Sequence, residues 1–185
     1  MQRPLMRALA GAAALALAVS STAQAQAGLT SNQATVTLNA TKASTLTVTP
    51  SVASADLAAI TDNSTANNFP GFSVTTDWNL TAGTTVDLIG WFGTPATALA
   101  NGAAAIPSSR VEAAVNAGAY APFSGAAVGG VGVAGGTRLL SSQAVAANLQ
   151  NSATDNLALR LNLVGFPTTT AGTYTGTLNL QAVVQ

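Results

Sequence analysis

Groups that carry out acid, base or nucleophilic chemistry are scarce in this sequence. It contains no His and no Cys, so it offers neither an imidazole base nor a thiol nucleophile. Its six acidic residues are scattered singly, and only Asp77 and Asp87 could approach each other across neighbouring strands. A glycosidase needs two carboxyl groups that face one cleft. Each aspartate is more simply an outward-facing polar residue of a strand, and we expect that the protein is not an enzyme.

Two further patterns have the letters of a binding site without the surroundings that such a site needs. Residues 130–135 read G-V-G-V-A-G, as in a dinucleotide-binding loop, but that loop must be followed by a helix. Here residues 137–138 lead into a strand-like run. Four polar residues carry oxygen ligands but lack the spacing of a Ca²⁺ loop: Asp62, Asn63, Asn67 and Asn68. The sequence therefore predicts no cofactor and no metal ion.

The N-terminus has the order of a secretory signal peptide. Arg3 and Arg7 form a positive segment, residues 8–19 are apolar, and Ala23-Gln24-Ala25 provides the small residues of a cleavage site. The apolar run is shorter than the roughly 20 residues that span a bilayer, which argues against an uncleaved anchor. We expect cleavage after Ala25, with Ala27 as the second choice. The protein is thereby predicted to work in the periplasm, on the cell surface or outside the cell.

The low content of charged residues argues against two classes of binding partner. Only 6% of residues are charged, and four basic and six acidic residues remain after residue 25, a formal net charge of −2. Without a basic patch, nucleic acid and anionic membrane surfaces are poor partners. No later apolar stretch is long enough to predict a membrane span. A neutral surface of small residues is instead typical of surface and filament proteins, which pack against copies of themselves.

Apolar and polar residues alternate with the period of a β-strand through much of the chain. Residues 86–92 are apolar on both faces, with Asp87 as the exception, which predicts a central strand. Turn signals rich in Gly, Pro and Asn separate the segments. We predict an all-β fold, an antiparallel immunoglobulin-like β-sandwich. The Ala-rich residues 95–105 and 143–149 could each hold one or two helical turns in the connections, although neither segment has an amphipathic face. The alternating segments are residues 34–40, 45–49, 72–80, 157–163 and 174–184.

The same alternation predicts the domain organisation and part of the core. Residues 1–25 form the signal peptide, residues 26–44 an N-terminal extension, and residues 45–185 the sandwich domain. We expect residues 125–136, rich in Gly, to form a loop or a loosely held hairpin tip. The leucines of one strand should be buried, while Arg160 and Asn162 face outward or toward the other face of the sheet. These leucines are Leu157, Leu159, Leu161 and Leu163.

Aromatic residues leave one alternative function open. Trp78 and Trp91 are the only tryptophans, and both lie in predicted strands where a core position is favoured. Tyr174 heads the apolar face of the last strand, where packing is the simpler role. If such rings were instead exposed on one flat sheet face, they would suit a secreted carbohydrate-binding module.

The two ends of the mature chain resemble secreted bacterial pilin-like domains. Residues 171–180 read A-G-T-Y-T-G-T-L-N-L, and the alternation runs on to the chain end, as in the last strand of spore coat U-type and chaperone–usher pilus subunits. In pilins that strand has a glycine fourteen positions from the end, where Gly172 stands here. An alternating segment, a short break at residues 42–44 and a first strand follow the signal peptide in the same order. Members of that family usually have a cysteine near the start of the first strand, where Thr45 stands in this chain.

The resemblance implies assembly by strand addition between copies or related surface subunits, with a periplasmic chaperone as a further partner. The alternation adds its own argument, because a closed sandwich has little use for another apolar strand. Residues 34–40 are therefore a candidate donor strand, with residues 42–44 as its hinge. The alternative is that this segment pairs within its own domain. The candidate assembly residues are Ala34, Val36, Leu38, Ala40, Gly172, Tyr174, Leu178, Leu180 and Val184.

Overall fold

The computed structural model describes residues 33–185. The predicted signal peptide, both cleavage sites and residues 26–32 of the predicted extension lie outside the described residues. The chain divides into two units, Met1–Thr41 and Lys42–Gln185. In the described part of the first unit, residues 33–41 have no regular secondary structure. Val36 and Leu38 there are 81% and 89% exposed.

The second unit is built almost entirely from β-strands. Two short 3₁₀ turns, Pro95–Thr97 and Ser108–Arg110, interrupt the strand sequence. Thr, Val and Leu dominate the longer strands, as expected for side chains that fit a pleated surface. The strands are β1 (Thr45–Pro50), β2 (Asn67–Asn68), β3 (Phe72–Asn79), β4 (Thr85–Phe92), β5 (Leu99–Asn101), β6 (Ala104–Ile106), β7 (Val111–Val115), β8 (Ala121–Pro122), β9 (Thr137–Ala144), β10 (Gln150–Leu161) and β11 (Leu178–Val184).

These strands form two main sheets and a small hairpin. The larger sheet has the order β1-β3-β10-β7-β8, and β2 pairs with the end of β10. The smaller sheet has the order β11-β4-β9, so β4 is central as predicted. Strands β5 and β6 form the separate hairpin. Every strand pair is antiparallel, and the predicted all-β antiparallel sandwich is confirmed.

The main core lies between the two sheets. The predicted row of leucines supplies much of it, with exposures of 2%, 7%, 1% and 0% for Leu157, Leu159, Leu161 and Leu163. Leu88 and Phe92 face this row from the smaller sheet. Arg160 alternates with the leucines and points outward, where its guanidinium contacts the Glu112 carboxylate at 2.7 Å. The predicted burial of the four leucines is confirmed, although β10 ends at Leu161 and Leu163 lies just beyond the strand.

Polar contacts connect the two sheets on the β9 side of the sandwich. Arg138 of β9 donates to the carbonyl oxygens of Ala113 and Ala121 in the larger sheet. Burial lowers the pKa of the Arg138 guanidinium, although the Glu112 carboxylate acts in the opposite direction. Ser141 donates to the carboxylate of Asp155, which is 2% exposed. These contacts satisfy buried polar groups and hold β9 against the larger sheet.

The glycine-rich segment forms a hairpin tip, one of the two predicted forms, but the tip is ordered and not loosely held. Val128 and Val131 exchange two backbone hydrogen bonds of 2.9 Å around Gly129-Gly130. Both glycines have positive φ, 55° and 80°, which a two-residue hairpin turn of this type requires. A Cβ at Gly129 would collide with the side chain of Gln185, so the tip packs closely against the end of β11.

Several elements differ from the sequence-based expectations. Residues 143–149 do not form the helical turn that was the alternative there, because β9 extends to Ala144 and no helix precedes β10. Residues 95–105 contain a single 3₁₀ turn, and then the β5–β6 hairpin begins. The last strand begins at Leu178 rather than at Tyr174. Trp78 is buried at 4% exposure, but Trp91 alternates with the core residue Phe92 and is only half-buried.

We expect Leu161→Ala to lower the free energy of unfolding by about 2–5 kcal/mol, because it leaves a cavity in a fully buried site. Val164→Ala is the matched control, since Val164 is 52% exposed and should change stability by less than about 0.5 kcal/mol. Denaturant unfolding of both variants measures the difference. Equal, small losses would contradict the placement of the leucine row in the core.

Substitution of a buried threonine should raise the free energy of unfolding, whereas the leucine substitution should lower it. Thr76 of β3 is 3% exposed, and its Oγ1 has no hydrogen-bond partner among residues 33–185. Thr76→Val removes this unsatisfied group at nearly constant shape, so we expect a gain of about 1 kcal/mol in unfolding free energy. Thr75→Val is the control, because the Thr75 hydroxyl lies 3.1 Å from that of Thr154. A loss of stability in Thr76→Val would show that the hydroxyl has a partner.

Candidate assembly groove

Strands β1 and β11 are the edge strands on the side of the sandwich opposite β9. Their two ends differ. At the end where β1 begins, which we call the closed end, Leu46 and Val48 pack with Ala182 in a small apolar cluster around Trp78. At the other end, which we call the open end, β1 stops at Pro50 and β11 begins at Leu178. The two edges are therefore sealed by side chains at the closed end alone.

A groove begins where this seal ends. Two adjoining clefts of about 410 Å³ and 380 Å³ share Asp56, Phe69 and Tyr174 among their lining residues. One wall is formed by residues 50–60 and the other by residues 169–180. The floor of the first cleft is apolar and reaches the main core through Phe69, Phe72, Phe92, Leu99, Val111 and Leu159. We refer to the two clefts together as the groove.

The edge of β11 that faces away from β4 has no strand partner within residues 33–185. Gln185 exchanges both of its backbone hydrogen bonds with Thr85, the residue that begins β4. In an antiparallel pair, alternate residues bond to the same neighbour, and the register from Leu178 to Val184 has no shift. The residues between them, such as Leu178 and Leu180, therefore point their backbone N–H and C=O groups away from β4.

The chain just before β11 follows the same alternation. Thr175 exchanges backbone hydrogen bonds of 2.9 and 3.0 Å with Ala100 of the β5–β6 hairpin. Thr175 and Gln185 are an even number of residues apart, so in an extended chain their backbone groups point to the same side. The β5–β6 hairpin therefore pairs with this segment on the side where β4 pairs with β11. The opposite side of residues 174–180 faces the groove. The apolar side chains of Leu178 and Leu180 and the free backbone groups of the same residues thus belong to one site.

The structure brings four of the predicted assembly residues to the groove. Leu178 and Leu180 are half-buried and line the first cleft. Tyr174 lines both clefts, and its hydroxyl accepts a hydrogen bond of 3.1 Å from the Thr170 amide. Gly172 lines the second cleft with a φ of 141°, and a side chain there would strike Asn101. Val184 instead lies at the far end of β11, and it lines neither cleft.

Sequence reasoning missed the opposite wall of the groove. Residues 50–60 contain Leu57 and Ile60, which pack against the main core, but they do not alternate as a strand. Phe69 and Phe72 were visible only as part of a turn and a strand. The signal that could have identified this wall is a partly apolar segment without strand or helix periodicity, placed directly after a short edge strand.

Other polar residues that could do chemistry are placed apart or used in loop contacts. Asp77 alternates with the buried Trp78 on the outer face of the larger sheet, and Asp87 belongs to the smaller sheet, where Ser142 donates to it at 2.6 Å. The structure does not bring these carboxylates together. In the polar loop, Asp62 accepts hydrogen bonds from Thr169, and Asn63 accepts one from Gly165. Within residues 33–185, no three acidic residues gather as a metal site.

The groove is nearly uncharged. Asp56 is the single charged residue among those that line it, and its side chain is exposed. A charged or strongly polar ligand would find few partners on the apolar floor, because burial of an unpaired charge is costly. An extended apolar segment that also supplies backbone donors and acceptors matches both features of the site.

Comparisons with protein-family models, with curated proteins and with solved structures found no match to this chain. Among the described residues, no helix is long and apolar enough to cross a membrane.

Proposed function

We propose that this protein is an exported structural subunit of a surface fibre, coat or adhesive layer, and that copies join by β-strand addition. The observation that supports it most is the groove along the unpaired edge of β11. An exposed strand edge is a template for pairing with another chain, and proteins ordinarily cover or disrupt such an edge. Here the edge lies beside an opening into the core, so an added strand would both complete the sheet and bury apolar surface.

The donor is the segment that precedes the sandwich domain. Val36 and Leu38 are almost fully exposed, and they alternate with polar residues as a groove-filling strand requires. Full burial of two such side chains would contribute roughly 1.5–3 kcal/mol each. Each new main-chain hydrogen bond adds about 1 kcal/mol. Residues 34–40 would extend over roughly 20 Å, as would residues 174–180 along the groove wall.

The direction of the chain makes this joint a head-to-tail contact. Strand β1 starts at the closed end, where the Asn79 side chain donates to the Ala43 carbonyl at 2.8 Å. The donor segment therefore leaves each copy at the closed end, whereas the groove lies at the open end. A donor that enters a neighbour from its open end runs antiparallel to β11. Such a contact joins two different surfaces and does not close, so it grows a filament.

Export and a helper protein belong to the same proposal. A subunit with an open groove would aggregate if it folded at high concentration without protection, because both the apolar floor and the strand edge are accessible. A signal peptide over residues 1–25 would place folding outside the cytoplasm. A periplasmic chaperone could cover the groove until the donor of the next copy replaces it.

Carbohydrate binding, the alternative function, has less support from the same structure. Trp78 is 4% exposed and is not available to stack on a sugar ring. Trp91 lies on the outer face of the smaller sheet, and Tyr174 lies in the groove, so the two rings do not form one flat platform.

The decisive test compares inward and outward faces of the donor. We expect Val36→Asp with Leu38→Asp to abolish assembly of the mature chain, because two carboxylates would enter an apolar groove. Thr35→Asp with Thr37→Asp adds the same charge on the opposite face and should assemble. Sedimentation velocity and electron microscopy give the readout. A mature chain that stays monomeric at high concentration, or two variants that behave alike, would contradict the proposal.

Processing is a separate expectation. The exported protein should begin at Gln26, or at Gly28 if the second cleavage site is used. Intact-mass measurement of protein recovered from outside the cytoplasm distinguishes the two sites. A mass that still includes residues 1–25 would contradict the signal peptide and leave the donor segment at an internal position.

A further inference from the structure

We propose that Lys42 of one copy pairs with Asp56 of the next, and that this pair sets the register of the donor strand. The inference rests on the proposed function, and it names the partner of the groove as a second copy of this chain. It follows from three features of the described residues. They are the phase of Lys42 in the donor, the position of Asp56 in the groove, and the absence of any other charged residue among those that line the two clefts.

Lys42 continues the apolar row of the donor. Side chains of a strand alternate between two faces, so Lys42 lies on the same face as Val36, Leu38 and Ala40 if the segment stays extended. It is also the only charged residue between residues 33 and 44. A donor that inserts its apolar row into the groove thus directs the ammonium group toward the groove wall and away from the outer surface.

Asp56 stands on that wall at the junction of the two clefts. It lines both clefts, as do Tyr174 and Thr175 on the opposite side. Within residues 33–185, Asp56 takes part in no salt bridge, since Arg160 with Glu112 is the ion pair of the described fold. Lys42 likewise has no acidic partner there. Each copy therefore offers one unpaired positive charge on the donor and one unpaired negative charge on the acceptor.

The charge pair would specify the register of the donor strand, which the apolar side chains alone do not specify. A row with a period of two residues fits a groove equally well after a slip of two residues, because the same face still points inward. Alanines at both ends of the donor row, Ala34 and Ala40, distinguish such slips poorly. A single charge pair distinguishes them, because a two-residue slip moves the ammonium by roughly 7 Å. With Lys42 at Asp56, the apolar row lies along the first cleft toward Leu180.

Charge reversal in the full mature chain tests the pair. We expect Lys42→Glu and Asp56→Lys each to raise the concentration of half-maximal assembly by about 5-fold or more at low salt, because each places like charges at the joint. The double variant, Lys42→Glu with Asp56→Lys, should return close to the wild-type value. In about 1 M salt the differences should shrink, since the screening length falls to roughly 3 Å. Asp77→Lys, on the outer face of the larger sheet, is the charge-matched control.

The outcomes separate this inference from the function on which it rests. If the wild-type chain does not assemble at all, both fail. If it assembles and the single reversals have no effect, or the double variant does not recover, the charge pair is wrong and strand addition stands. Circular dichroism confirms that each variant is folded, and Asp56→Asn replaces Asp56→Lys if that variant is not. Asp56→Asn should raise the assembly concentration by about 2-fold, and an unchanged value would overturn the pair.

Discussion

The outer edge of β11 is the constraint on which this account depends. Its apolar side chains point into the sandwich, while alternate backbone N–H and C=O groups point away from β4 with no strand partner in residues 33–185. Backbone groups beside an apolar opening lose hydration as the opening is filled, so they need a partner that supplies hydrogen bonds. A β-strand supplies the bonds and the apolar filling at once, which a small polar ligand does not.

Contacts on both sides of the sandwich explain how the domain stays stable although the groove is open. On the β9 side, Arg138 and Ser141 connect the sheets through buried polar contacts. The closed end of the β1 side is sealed by the cluster around Trp78. Leu88 and Leu163 of the main core are 1% and 0% exposed, and neither residue lines the groove. The domain can therefore stay folded while the edge of β11 remains unpaired. The loss of stability caused by that unpaired edge is confined to the region of the groove.

Period-two alternation was sufficient to predict the fold class, the leucine row of β10 and the central position of β4. It failed where short strands carry little pattern, as in β7 with its sequence V-E-A-A-V and in the β5–β6 hairpin. It also identified one wall of the groove, through Leu178 and Leu180, but not the other. Residues 50–60 have no period to detect, and their role follows from where β1 ends relative to β11, which only the tertiary structure reveals.

Residue-resolved amide hydrogen exchange along β11 tests the central claim most directly. In the dilute, unassembled mature chain we expect the amides of Leu178 and Leu180 to exchange rapidly, and those of Asn179 and Gln181, which face β4, to exchange slowly. On assembly, Leu178 and Leu180 should become as protected as their neighbours. Equal protection of all four amides in the dilute chain, or no change on assembly, would contradict a free β11 edge that accepts a strand from another copy.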